Sequence, residues 1–273
     1  MTASLATGNL HDALSPIARQ TLPGRLSTTG VFAWRALVKL RRVPEQMTDA
    51  IVLPVLFTLM FTYLFGSALS GSTGAYLHEL LPGTLVFTAL LVTVYTGLVL
   101  KTDLDRGVLD RFRSMPMWRP ALIAGSLLGD AGRYLVSTTI VIGLGLLMGF
   151  RPAGGITGVL SGIALVLLFA YSLSWIWTTL ALLVRTPATL TMASFLVQFP
   201  LTFMSNVFVD PATMPGWLRT FVEANPVSHL VTTERALMDG TATTGQVVGV
   251  LLAAAAVTAV FAPLTMYLYR SQR

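Results

Sequence analysis

Of the 273 residues, 54% are hydrophobic and only 11% are charged, less than half the share of about 25% usual in soluble domains. At 29.3 kDa and a mean hydropathy of +0.72, the chain has more apolar surface than one core can hide, which excludes an ordinary soluble enzyme and predicts an all-α polytopic membrane protein. The absence of cysteine excludes disulfides, thiolate catalysis and cysteine metal sites, and the net charge of +6 is assigned below to membrane topology, with no nucleic-acid partner expected.

Residues 1–24 contain no apolar core long enough for a cleavable signal, so a flexible cytoplasmic N-terminus is expected, with insertion relying on the first true span. In residues 25–45, Val31, Trp34, Leu37, Val38 and Leu40 alternate with Arg35, Lys39, Arg41 and Arg42 at roughly helical spacing. That pattern fits an amphipathic helix on the inner membrane surface, ended by Pro44. A basic flank that only sets topology fits it equally.

A spanning helix needs about 20 apolar residues, and uncharged runs of that order place six spans, at about 50–69, 82–100, 122–149, 156–184, 187–207 and 244–268. The third includes Asp130 and Arg133, spaced to share a helix face. Each would cost about 2.5–3.5 kcal/mol at mid-bilayer, so they are read as a structural pair near the inner end of the span. Between spans two and three, residues 101–120 form the most charged stretch, with Asp103, Asp105, Arg106, Asp110, Arg111 and Arg113 close together. Leu104, Val108, Leu109 and Phe112 fall on one face of a short helix, with Asp103 or Asp105 favouring its start and Pro116 its end. Such a helix suits docking on another protein; a solvated loop that retains topology is the alternative.

Between spans five and six, residues 208–240 are too long for a structureless connection. Two short helices, at 215–223 and 227–238, are expected on either side of Asn225-Pro226, lying in the outer interface or partly re-entering the membrane. Trp217 is placed at headgroup depth. A lid and a plain interfacial anchor both remain open.

Basic residues divide unevenly between the two sides. Arg19, Arg25, Arg35, Lys39, Arg41, Arg42, Lys101, Arg106, Arg111, Arg113, Arg119, Arg185, Arg270 and Arg273 fall on one side, and only Arg151, Arg219 and Arg235 on the other. Fourteen against three predicts that both termini are cytoplasmic. The opposite side, with Glu79, Asp210, Glu223, Glu234 and Asp239, is net acidic.

No G-x-x-x-x-G-K-[ST] loop is present, so the chain lacks that route to holding ATP phosphates. His11, His78 and His229 are too scattered to read as a metal site, and Ser161 and Ser172 have no nearby His–Asp pair. No catalytic or metal residue is expected.

The run DRGVLDRFRSMP at 105–116, then WRP at 118–120 and GDAGRY at 129–134, resembles the permeases of daunorubicin/doxorubicin-resistance ABC exporters, a branch of the ABC-2 type transporters. NVFVDPATMPGWL at 206–218, NPVSHL at 225–230, TYLFG at 62–66 and SWIWTTL at 174–180 are similar to the same family. The resemblance covers roughly residues 30–270.

It implies one ABC-2 type transmembrane domain over 25–273, with the interfacial helix at 25–45 and the external helices at 208–240. The chain would be a non-enzymatic permease subunit in a bacterial plasma membrane. It would assemble with a second permease copy, as a homodimer, and with separate ATP-binding subunits. It would bind no cofactor itself, with ATP and Mg on the partner. Residues 103–116 would be the cytosolic coupling helix, which makes Asp103, Asp105, Arg106, Asp110, Arg111, Phe112, Arg113 and Pro116 the expected ATPase contacts.

Within that reading, span five is the expected wall of a substrate path. Phe195, Phe199 and Phe203 repeat every four residues, beside a polar stripe of Gln198, Thr202, Ser205 and Asn206. An amphiphilic polyaromatic compound can stack on the rings and bond the amide. Helix packing or a dimer seam is the competing use of both stripes. Met60, Tyr63 and Tyr95 are weaker candidates for the same path. The expected cargo is a hydrophobic or amphiphilic antibiotic-like compound. Export of a lipid-linked glycan or other lipid is the alternative, and an ion-coupled transporter without an ATPase is disfavoured by the lack of deep carboxylates.

Overall fold

A chain segment in hydrocarbon must satisfy its backbone groups internally, and among the described residues all regular structure is helical. The computed structural model describes residues 44–106 and 121–271. Its long helices are α1 (Pro44–Ser70), α2 (Thr73–Asp105), α3 (Ala121–Leu147), α4 (Gly155–Leu183), α5 (Pro187–Phe203) and α8 (Thr244–Ser271). Two short helices, α6 (Gly216–Ala224) and α7 (Pro226–Asp239), lie between α5 and α8. Five of these, all the long helices except the 17-residue α5, are long and apolar enough to cross a membrane.

The helix ends follow local chemistry. Ser72 accepts a hydrogen bond from the Ala75 amide at the start of α2, and Thr186 accepts one from the Thr189 amide at the start of α5, just before Pro187. Asn225 does the same for α7 through the Val227 amide, just before Pro226. Gly240, at φ 73°, closes α7 in the left-handed conformation that glycine adopts without strain. The break expected at Asn225-Pro226 is therefore present, with helices on both sides of it.

α2 is the central pillar. It packs against α1, α3, α4, α5 and α7, and one apolar core cluster gathers around Tyr76, Phe87, Tyr134, Phe169 and Val207, with others around Leu100 and Trp175 and around Leu81 and Val141. Gly97 permits close approach to α4, since a β-carbon there would lie 2.7 Å from the Trp177 carbonyl oxygen. Buried hydroxyl groups join the helices: Tyr134 Oη lies 3.1 Å from Thr96 Oγ1 and 2.7 Å from Ser174 Oγ, and Trp177 Nε1 donates to Thr93 Oγ1 at 2.8 Å. α8 packs on α4, where Thr179 and Thr265 share a bond of 2.7 Å.

Several helix boundaries differ from the expected spans: α1 opens at Pro44 rather than at 50, and α2 opens at Thr73, capped by Ser72, rather than at 82. Asp103 and Asp105 do not open a separate helix; they form the last turn of α2. No glycine or proline interrupts Leu98–Arg106, Lys101 and Asp105 pair at 3.0 Å one turn apart, and Leu104 packs with Leu100, Trp175 and Leu182. Span five ends at Phe203 rather than at 207, so Ser205 and Asn206 lie in a turn. The reason is distant in sequence: the Asn225 side-chain amide donates to the Leu201 and Met204 carbonyls at 2.9 and 2.8 Å, satisfying the end of α5.

That turn is held from a second side. Arg235 of α7 donates to the Asn206 carbonyl at 2.7 Å and, across the bundle, to the Glu79 carbonyl of α2 at 2.9 Å. Phe208 leaves the turn and packs into a ring cluster with Phe57, Phe61 and Phe87, with centroids 4.9–5.7 Å apart. α6 and α7 thus close one end of the bundle, beside the α1–α2 turn, while Asp105 and Thr186 mark the other end.

The proposed helix at 25–45 lies outside the described residues apart from its last two positions, where Pro44 opens α1; a missing N–H is no loss there. Asp110, Arg111, Phe112, Arg113 and Pro116 also lie outside the described residues.

Candidate substrate cavity

α1 and α5 each pack on α2, and the space they leave is a cavity of about 390 Å³. Ligand cavities for drug-sized molecules span about 300–1,000 Å³. Val52 and Leu53 line it from α1; Leu91, Val94, Tyr95 and Leu98 from α2; and Thr191, Ser194, Phe195 and Gln198 from α5. These positions fall in the first half of α1, around the middle of α5 and in the second half of α2, so the cavity sits in the half of the bundle nearer Asp105.

Its wall is largely apolar, with a few polar atoms left over. Ser194 Oγ and Gln198 Nε2 are buried and have no hydrogen-bond partner among the described residues. Burying such groups without a partner costs about 1–3 kcal/mol each, and a ligand bearing an acceptor would recover part of that. One turn further along, Thr202 Oγ1 is also unpartnered.

A buried ion pair stands beside Tyr95. Arg133 Nη2 lies 3.2 Å from Asp130 Oδ1, with both side chains buried, and the guanidinium carbon is 5.8 Å from the centre of the Tyr95 ring. The pairing of Asp130 with Arg133 expected from their spacing is therefore present. Arg133 Nε and Nη1 have no hydrogen-bond partner among the described residues.

The structure divides the residues expected on the path. Tyr95, Phe195 and Gln198 line the cavity together. Met60 and Tyr63 face outward from α1, with Tyr63 65% exposed, and neither reaches the cavity. Phe199 and Phe203 stack on each other at 4.4 Å, and Phe203 leans on Phe208 at 5.6 Å, so these rings continue the ring cluster rather than the cavity wall. Asn206 points into the α6–α7 end, where its Nδ2 donates to Thr232 Oγ1 at 2.9 Å. The sequence reading missed Ser194, although it lies one turn before Gln198 on the same face.

At the other end of α2, Asp103 is half-buried and Asp105 and Arg106 are exposed. Among the described residues no group of three or more His, Asp or Glu could hold a metal ion.

A polytopic helical bundle with an apolar cavity between helices, and with its exposed charges at the ends, is the architecture of a membrane transport subunit. The sequence profile of the ABC-2 type transporter family matches residues 28–238, and the chain belongs to that family. It is 46% identical over 266 residues to the daunorubicin resistance ABC transporter permease protein DrrB1 of Streptomyces coeruleorubidus, covering 97% of this chain and 94% of that one. It is 26% identical over 255 residues to the probable doxorubicin resistance ABC transporter permease protein DrrC of Mycobacterium tuberculosis, covering 90% and 92%. A putative transport permease of Cyanophora paradoxa is 26% identical over 205 residues, covering 74% and 70%.

Proposed function

We propose that this chain is the membrane subunit of an ATP-driven exporter that carries an amphiphilic, aromatic antibiotic-like compound out of the cell and so confers resistance. The observation that carries the reading is the cavity of about 390 Å³, whose apolar wall leaves the amide of Gln198 and the hydroxyl of Ser194 unpartnered among the described residues. Such a wall fits a flat apolar molecule with one or two polar edges. The relatives named for daunorubicin and doxorubicin resistance support the same class of cargo.

In this reading residues 25–273 are one domain, α5 is a sixth span despite its 17 residues, and both termini face the cytoplasm of a bacterial cell. Two copies form a homodimer and recruit separate ATP-binding subunits, which carry the ATP and Mg. Residues 103–116 make the contact, with Asp105 and Arg106 at the exposed end of α2 leading into Asp110, Arg111, Phe112, Arg113 and Pro116. The chain catalyses nothing itself.

The test is transport of daunorubicin into inside-out vesicles containing this chain and its ATP-binding subunit. ATP-dependent uptake in the wild type, reduced about tenfold in Gln198→Leu with the complex intact, supports the reading. Uptake that is absent in the wild type, or unchanged in the variant, overturns it.

A further inference from the structure

Glu234 sits in the middle of α7 and is fully buried. Neither of its carboxylate oxygens has a hydrogen-bond partner among the described residues. The group rests against Gly162 of α4, where a β-carbon would run into Oε1. Gly162 is the last of three glycines one turn apart, after Gly154 and Gly158, whose missing side chains leave room for the Leu237 carbonyl. The Gly154 amide donates to the Met238 carbonyl at 2.7 Å. α7 is therefore seated on a glycine track, with a carboxyl pressed into it.

An ionised carboxylate is not stable in such a place without a partner. α4, α2, α8 and α6 are the helices packed against α7. The facing stretch of α4, residues 154–165, has no ionisable residue, and α8 has none before Tyr267. α2 brings Tyr76, His78 and Glu79, and α6 brings Arg219 and Glu223, which pair with each other at 2.8 Å. On α7 itself, Arg235 turns away to the Glu79 and Asn206 carbonyls, and His229 and Asp239 are exposed. None of these charges compensates Glu234, whose carboxyl is pushed up to about 8 by burial alone.

We propose that Glu234 is a proton-binding site: α7 seats on the glycine track of α4 with this carboxyl protonated, and when α7 lifts, the O–H bond breaks, the proton passes to water, and the carboxylate left behind keeps the helix unseated until a proton returns. The ligand is the proton alone, and the site makes opening at the α6–α7 end of the bundle a proton-linked step. This goes beyond cargo export and holds whatever the cargo is.

The direction with pH follows from linkage. The seated form keeps its proton up to about 8, while a carboxyl in water releases it near 4.3. Seating is most favoured below the lower value and is weakened throughout the window as pH rises. The ratio of lifted to seated α7 should rise about tenfold per pH unit between the two values.

Hydrogen–deuterium exchange of residues 226–239, in protein held in lipid nanodiscs and corrected for intrinsic base catalysis, reads that ratio. The wild type should show an opening ratio that climbs about tenfold per unit between about pH 5 and about pH 8, and Glu234→Gln, which cannot ionise, should show none of that climb. The same slope in both proteins overturns the proposal. Where Glu234→Gln does not insert, infrared spectra of the wild type decide. A protonated-carboxyl C=O band at neutral pH that fades through about pH 8 supports the site, and its absence at neutral pH overturns it.

Discussion

Asn225 and Arg235 of the cap formed by α6 and α7 use their buried donors differently from Ser194 and Gln198 on the wall of α5, although Ser228 and Glu234 of α7 also keep atoms without partners among the described residues. In the cap, Asn225 and Arg235 spend their donors on the carbonyls of Leu201, Met204, Asn206 and Glu79, so a turn far from either residue in sequence is fixed. On the cavity side of α5, Ser194 and Gln198 keep polar atoms without partners among the described residues. Satisfied donors build structure. Unsatisfied donors on residues that line an apolar cavity are unfavourable until a ligand's acceptor reaches them, and that pairing of cavity with unpartnered donors marks the candidate site.

The contrast predicts different phenotypes, and the largest effect belongs to the cap. Arg235→Ala removes charge-assisted bonds to two backbone carbonyls, each worth about 1.5–3 kcal/mol. Thermal melting in detergent should show a loss of about 3–5 kcal/mol and a sharply lower yield of folded protein. Asn225→Ala comes next, since it uncaps the end of α5 and the start of α7 together. A loss of about 2 kcal/mol is expected, and melting at wild-type temperature would mean that the cap is held elsewhere.

Smaller effects belong to the wall, and they should appear in binding rather than stability. Phe195→Ala removes one aromatic face from the cavity, with an expected weakening of ligand binding of about 1–1.5 kcal/mol by fluorescence titration. Phe199→Ala, whose ring stacks on Phe203 outside the cavity, should leave the same titration unchanged. Equal losses in the two variants would mean that the three rings of α5 act as one surface.

Much of this was legible in the sequence, for identifiable reasons. Long uncharged runs fix helices because lipid leaves the backbone no other partner, and the break at Asn225-Pro226 is local chemistry. The Asp130–Arg133 pair follows from helical spacing alone. The end of α5 was not legible, because it depends on the Asn225 side chain 24 residues away. Nor was the division of Phe195 from Phe199 and Phe203: a four-residue period places rings along one side of a helix but does not say what each ring meets. Asp103 and Asp105 read as a helix start because acidic residues favour that end, yet nothing between Leu98 and Arg106 breaks α2.

In the sequence Glu234 reads as one of several acidic residues on its side of the membrane, yet a signal for its burial is present. Val227, Leu230, Val231 and Met238 are the buried apolar positions of α7, and Glu234 falls in that same helical series, where a core residue belongs. That signal is a carboxylate in a core register together with glycines spaced by four at 154, 158 and 162.

The most direct test of the central claim, that the space between α1, α2 and α5 is the binding site and the polar atoms of α5 are kept for the ligand, is a paired measurement on Gln198→Leu. Removing a buried amide nitrogen that lacks a partner among the described residues should leave the melting temperature unchanged or raise it, by the equivalent of about 1 kcal/mol. Binding of daunorubicin should weaken about tenfold, the worth of one hydrogen bond of about 1.4 kcal/mol. A variant that melts earlier while binding daunorubicin as the wild type does would show that Gln198 serves the scaffold and that the site lies elsewhere.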